Sequence, residues 1–130
     1  MIVVDSSALM AILLDEPSAD ACQAVLGRED DFAISAATAV EALIVADGRG
    51  LRHRMERLIE GSGFEIVELT ASRVQLVADA YRRWGKGHHR ASLNFGDCFA
   101  YALAEERNCP LLFVGNDFAQ TDIVSAIAST

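Results

Sequence analysis

Cysteine is scarce in this chain, and what there is does not pair. Cys22, Cys98 and Cys109 are an odd set without ligand-like spacing. That excludes a disulfide-stapled fold and a cysteine-bound zinc, and it suits free thiols in a reducing compartment, so the expected location is the cytoplasm. The three histidines also lack ligand spacing, and Ser6 and Ser7 have no accompanying His-Asp arrangement. Zinc chemistry and serine-nucleophile hydrolysis are set aside on those grounds. No window reaches the roughly 18 uncharged apolar residues of a membrane span. The apolar start, Met1 to Leu14, has no basic leader and carries Asp5 in its middle, which marks a core strand and helix rather than a signal peptide. Repeats, low-complexity stretches and linkers are absent, so residues 1–130 read as a single domain, long enough to bury a core without staples.

Positive charge is short too. Eleven basic residues face 19 acidic ones, for a net charge of −8, which on its face opposes binding to a polyanion. Their distribution softens the objection. Arg49, Arg52, Arg54 and Arg57 form one cluster, read as a solvated helix face. Arg82, Arg83, Lys86 and Arg90 form another, interleaved with Gly85, Gly87, His88 and His89 and free of acids, which reads as a mobile loop able to contact phosphates.

Apolar residues, by contrast, are in excess. They make up 52% of the chain, and mean hydropathy is +0.22, more than one core of this size requires. The surplus calls for an interface, either a symmetric homodimer or a groove awaiting a partner segment.

Strand-like and helix-like segments alternate. Residues 2 to 5 form a β-branched run, and Ser6 or Ser7 can cap a helix through about Leu14. Pro17 suits the first turn of a second helix ending near residue 27. Further strands are expected at Phe32 to Ser35, Glu65 to Leu69 and 111 to 114. Helices are expected at 36 to 47, up to about Ile59, at 71 to 84 after a Thr70 cap, and at 95 to 107. The helix at 71 to 84 places Val74, Val77, Ala78 and Tyr81 on one face. Such alternation predicts an α/β domain with a mainly parallel sheet covered by helices on both faces, and ligands beyond the carboxyl ends of its strands.

Four carboxylates interrupt this apolar pattern. Asp5 closes Ile2-Val3-Val4, Glu41 sits inside a run of Ala and Val, Asp97 precedes Cys98-Phe99-Ala100-Tyr101, and Asp117 follows Leu111-Leu112-Phe113-Val114. Each has a plain explanation when taken singly. Asp5 or Asp117 can cap a turn, Asp97 can favour a helix first turn, and Glu41 can mark one exposed stripe. Together they point elsewhere. A buried lone carboxylate costs several kcal/mol or more unless it is neutralised, paired or metal-bound, and the basic residues lie elsewhere in the chain. A hard divalent cation, Mg²⁺ or Mn²⁺, is the natural partner of such a group. The chain therefore reads as a metal-dependent enzyme.

The segments Ile2-Val3-Val4-Asp5-Ser6-Ser7-Ala8-Leu9, Ala39-Val40-Glu41-Ala42, Leu93-Asn94-Phe95-Gly96-Asp97-Cys98-Phe99-Ala100-Tyr101 and Leu111-Leu112-Phe113-Val114-Gly115-Asn116-Asp117-Phe118, in that order, resemble the PIN-domain ribonucleases of the VapC toxin type. The resemblance spans the whole chain. It implies a three-layer α/β/α fold, Mg²⁺- or Mn²⁺-dependent cleavage of RNA, dimerisation and neutralisation by a small VapB-type antitoxin. By position it makes Asp5, Glu41, Asp97 and Asp117 the catalytic and metal-binding acids. Many relatives carry an acid directly after the glycine, where this chain has Asn116; the ligand role is assigned to Asp117, with Asn116 as a polar or water-holding neighbour. Ser6 or Ser7 resembles the hydroxyl that places the metal or phosphate. A PIN-like module that binds RNA without cutting it shares all four acids. A phosphoaspartyl phosphatase wants a second Asp where Ser7 stands, and a receiver domain wants a lysine after a late strand, whereas the only lysine is Lys86.

Overall fold

The computed structural model describes residues 1–127. The chain runs β1 (Ile2–Val4), α1 (Ser6–Leu13), α2 (Ala19–Arg28), β2 (Phe32–Ser35), α3 (Ala36–Gly48), α4 (Arg52–Gly61), β3 (Glu65–Val67), α5 (Ala71–Trp84), α6 (Phe95–Arg107) and β4 (Leu111–Leu112), then a 3₁₀ turn at Phe118–Gln120. The sheet order is β3-β2-β1-β4 and all its pairings are parallel. Beyond β4 the chain returns: Leu111 N–H donates to the Val124 carbonyl at 2.9 Å and Ala126 N–H to the Leu111 carbonyl at 2.9 Å, which covers that edge.

Strand alternation divides the interior into two cores. Ile2, Val4, Phe32, Ile34 and Leu112 point to one side and pack with Leu9, Met10, Cys22, Val25, Met55 and Ile59 of α1, α2 and α4. Val3, Ala33, Leu111 and Phe113 point to the other and pack with Ala80, Leu93, Tyr101 and Leu103 around α5 and α6. A sheet buried on both faces reads as a continuous apolar run, as β1 does, and gives the three-layer α/β/α arrangement expected from the sequence.

The departures are local. Asp5, not Ser6 or Ser7, is the N-cap of α1, accepting from Ser7 N–H at 3.0 Å. α2 opens at Ala19, two residues beyond Pro17. The last strand stops at Leu112 because the Val114 N–H donates to Ser7 Oγ at 3.1 Å instead of joining the sheet. β3 ends at Val67, and Thr70 caps α5 by accepting from Arg73 N–H at 3.3 Å. The face of α5 expected to be buried is only half covered: Ala80 is its one buried residue and Val74 is 47% exposed. Val74, Val77, Ala78 and Tyr81 instead wall an apolar groove of about 240 Å³ with Phe95 and Phe99.

A tether of polar side chains closes the α5–α6 side. Tyr101, fully buried, accepts from Trp84 Nε1 at 2.9 Å, and its hydroxyl oxygen lies 2.5 Å from Asp122 Oδ1 and 3.2 Å from Glu105 Oε2. Arg83 grips Glu105 at 2.6 and 3.0 Å and lies over the Tyr101 ring. Burial, and then the Asp122 bond, hold the Tyr101 phenol well above its ordinary pKa, so its proton is kept for those carboxylates.

Candidate active site

Four elements deliver the four acids to one end of the sheet. Asp5 follows directly on β1, Glu41 lies in the second turn of α3, Asp97 in the first turn of α6, and Asp117 in the turn after β4. Asp5, Ser7, Asp97, Asn116 and Asp117 line one cleft of about 370 Å³ with Val114, Gly115 and Phe118. Glu41 lines the adjoining apolar pocket with Val40, Ile44, Phe95 and Gly96. Ser6 Oγ donates to its Oε1 at 2.9 Å, and its carboxylate rests against the backbone of Gly96, one residue before Asp97. Asp5, Asp97 and Asp117 thus share one cleft while Glu41 stands beside it, and Ser6 and Ser7 have different tasks: Ser6 holds Glu41, while Ser7 bridges Asp5 and the chain after β4.

Electrostatics register the crowding. Asp5 is 2% exposed, and its carboxyl is pushed from 3.8 up to about 6, chiefly by burial, with Glu41 adding repulsion and the Ser7 and Ser6 bonds opposing the rise. Asp97 is pushed up to about 7, again chiefly by burial. The Asn94 amide opposes that rise, while the charges of Asp5, Asp117 and Glu41 all reinforce it. Like charges facing one another at a cleft are the arrangement a cation relieves. One oxygen decides the fit. Among the described residues Asp5 Oδ1 is buried without a hydrogen-bond partner, which leaves its lone pairs for a group that enters the cleft. An oxygen-only donor set around such an atom suits Mg²⁺ or Mn²⁺.

The acids are not drawn into a closed cage. Among the described residues no three of them stand at joint ligating distance. Two are restrained by local bonds: Glu41 by Ser6, and Asp97 by a capping box in which Asp97 Oδ2 accepts from Asn94 N–H at 3.0 Å and Asn94 Oδ1 accepts from Asp97 N–H at 2.8 Å. Mg²⁺ typically keeps several waters and takes only one or two carboxylates directly, so an open set of acids is compatible with it. Asp5 and Asp97 both act as helix-capping carboxylates, Asp5 through Oδ2 to Ser7 N–H and Asp97 through Oδ2 to Asn94 N–H, and both line the cleft.

The basic loop is more closed than its glycines imply. Lys86 N–H bonds the Leu93 carbonyl at 2.9 Å, Leu93 N–H bonds the Trp84 carbonyl at 3.1 Å, and His89 Nδ1 accepts from Ala91 N–H at 2.9 Å. His88 packs edge-on to Tyr81 and His89 to Trp84. Of its four cations, Arg83 is committed to Glu105 and Arg82 pairs with Asp79 at 3.1 Å. Lys86 and Arg90 are exposed and form no ion pair among the described residues. The loop leads within a few residues into Asn94 and Asp97. Sequence reasoning missed two features here. The Asn94 to Asp97 spacing is a capping-box signature and was readable; the contact of Gly96 with Glu41 is tertiary and was not.

The chain matches the PIN-domain family model over residues 2–124. A protein named "Ribonuclease VapC" from Mycolicibacterium smegmatis is 39% identical over 127 residues, covering 95% of this chain and 98% of that protein. "Ribonuclease VapC36" from Mycobacterium tuberculosis is 42% identical over 125 residues, covering 93% and 90%. Among solved structures, Mycobacterium tuberculosis VapC20, described as a Sarcin-Ricin loop cleaving toxin, superposes with a TM-score of 0.77 at 15% identity over 95% of this chain and 97% of that one. A chain of a toxin-antitoxin complex from Klebsiella pneumoniae gives 0.72 at 19% identity over 97% and 98%. At such identities these two speak for the fold alone.

Proposed function

Because the chain belongs to the PIN-domain family and aligns along nearly its whole length with VapC ribonucleases, we propose that it is an endoribonuclease acting as the toxin of a VapBC-type pair, with Mg²⁺ or Mn²⁺ held by Asp5, Asp97 and Asp117 and with Glu41 at the rim. The observation that carries the metal reading is the buried, partnerless Asp5 Oδ1 in a cleft shared with Asp97 and Asp117. A bound ion there would neutralise the scissile phosphate, acidify a water and stabilise the leaving oxygen.

The residues supply the rest. Ser7, bonded to both Asp5 and the Val114 amide, fixes the floor of the cleft. Asn116 lines its mouth and can hold water or a phosphate oxygen. Glu41 stands apart from the other three, steered by Ser6, which suits it to orient the attacking water. Lys86 and Arg90, with Arg82 beside them, are the cations available to RNA phosphates; Arg83 serves the tether to Glu105.

The partners proposed are RNA, a second copy of the chain and a VapB-type antitoxin. Val40, Ile44, Val45, Leu69, Val74 and Phe95 leave a broad apolar face exposed beside the site, the kind of surface a partner covers. Among the described residues no helix is long and apolar enough to cross a membrane. The three free thiols favour a reducing, cytoplasmic setting.

Purified protein incubated with structured RNAs tests the activity. Cleavage by wild type, with loss in Asp97→Asn, is the expected result. Binding without cleavage by wild type would turn the reading toward a module that only binds RNA.

A further inference from the structure

The geometry points to Gly96 as a positioning residue for Glu41: by lacking a side chain, it lets the Glu41 carboxylate close against the first turn of α6, where Ser6 holds it from the opposite side. This rests on the functional reading above and adds a residue that the acid motif does not include.

Three helices meet at this carboxylate. Glu41 projects from α3, Ser6 Oγ on α1 donates to Oε1 at 2.9 Å, and Gly96 on α6 offers bare backbone. A Cβ built on Gly96 would stand 2.8 Å from Glu41 Cδ and 3.1 Å from Oε1, and it would meet Oε2 closer still. Real side chains do not tolerate such an approach, so one partner must move. The three nearest atoms that Cβ would meet all belong to Glu41, and those are the far end of a flexible side chain. The backbone does not need a glycine here: Gly96 is not among the positive-φ glycines and sits in the first turn of a regular helix. Alanine is a better helix former than glycine. Conformation and helix propensity therefore give no reason for glycine at 96, and the closest approach a methyl would make is to Glu41.

That separation makes a sharp test. Gly96→Ala should fold as well as wild type or better, while the methyl pushes the Glu41 carboxylate out of its bond with Ser6. Displacing a catalytic-site group by about 1 Å can lower turnover on the order of 100-fold. Glu41→Asp shortens the side chain by one methylene and withdraws it from the space a Gly96 methyl would fill. The two changes should then be strongly non-additive.

The experiment is a double-mutant cycle of wild type, Gly96→Ala, Glu41→Asp and the double variant, read three ways: melting temperature, RNA cleavage kinetics, and Mn²⁺ affinity by calorimetry without RNA. We expect Gly96→Ala to melt at or above wild type, to lose turnover with little change in KM, and to add almost nothing to the loss already caused by Glu41→Asp. Wild-type turnover in Gly96→Ala would overturn the assignment, as would losses that multiply in the double variant. A large drop in melting temperature that Glu41→Asp does not recover would make Gly96 a packing residue and also overturn it. If wild type cleaves no RNA, the functional reading fails separately, and non-additivity in melting temperature and Mn²⁺ affinity still decides whether Gly96 positions Glu41.

Discussion

Replacing Asp5 by Asn should make the metal-free protein more stable at neutral pH, although it damages the site. Burial holds the Asp5 carboxyl near 6 against 3.8 in the unfolded chain, so its charged form is penalised only when folded. Because the folded pKa is raised, the stability contributed by the neutral carboxyl is complete below about 3.8 and is lost as pH rises through about 6. The loss by pH 8 corresponds to about 3 kcal/mol as an upper value. Asn retains the cap, since its carbonyl oxygen can accept from Ser7 N–H as Asp5 does. Its amide, however, inherits the partnerless position of Oδ1, at a cost of about 1–2 kcal/mol. The difference leaves a gain of about 1–2 kcal/mol, or roughly 4–8 °C in melting temperature for a chain of this length. Thermal melts in EDTA at pH 8 and pH 5 check it. The advantage of Asp5→Asn should appear at pH 8 and vanish at pH 5, where wild-type Asp5 is already largely protonated. Excess Mg²⁺ or Mn²⁺ should then raise wild type by roughly 2.7 kcal/mol at a hundredfold excess over Kd, and should raise the variant far less. A variant that melts lower than wild type in EDTA at pH 8, yet gains as much from metal, would make Asp5 a structural cap alone and refute the shared-site argument.

Two further outcomes follow from the same geometry. Lys86→Gln with Arg90→Gln should weaken RNA binding and flatten its salt dependence by roughly 0.7 in slope per lost phosphate contact; an unchanged slope would return the loop to a solvated surface. Tyr101→Phe removes the hydroxyl that accepts from Trp84 and meets Asp122 and Glu105, so the melting temperature should fall by an amount equivalent to about 1–3 kcal/mol, with turnover per folded molecule preserved, since the tether touches none of the four site acids; a loss of turnover without a loss of stability would tie that network to the chemistry.

What the sequence made legible was the part governed by short-range pattern. Buried strands announce themselves as apolar runs, and the alternation of Ile2, Val3 and Val4 between two cores is what a two-sided sheet demands. The four acids were legible because a carboxylate in an apolar run has few inexpensive explanations. What escaped was decided by tertiary contact. Whether Asp5 or its serines cap α1 depends on which oxygen faces inward; both serines were needed elsewhere, Ser6 by Glu41 and Ser7 by Val114. Arg83 reads as a phosphate contact along the chain, but α6 places Glu105 against it. The apolar stripe of α5 looked like core, but Phe95 and Phe99 meet it as a groove. Charge and hydropathy along the chain say what a side chain needs, not which neighbour meets the need.

The central claim is that Asp5, Glu41, Asp97 and Asp117 form one metal-dependent centre for cutting RNA. Its most direct test is the single-turnover rate of RNA cleavage, measured after EDTA treatment as Mn²⁺ or Mg²⁺ is added back, for wild type and for Asp97→Asn. The account predicts no cleavage by either protein without metal, a saturable rise for wild type, and at least a hundredfold lower rate for Asp97→Asn at every metal concentration. Undiminished cleavage by wild type in EDTA, or an Asp97→Asn curve that overlays that of wild type, would contradict it.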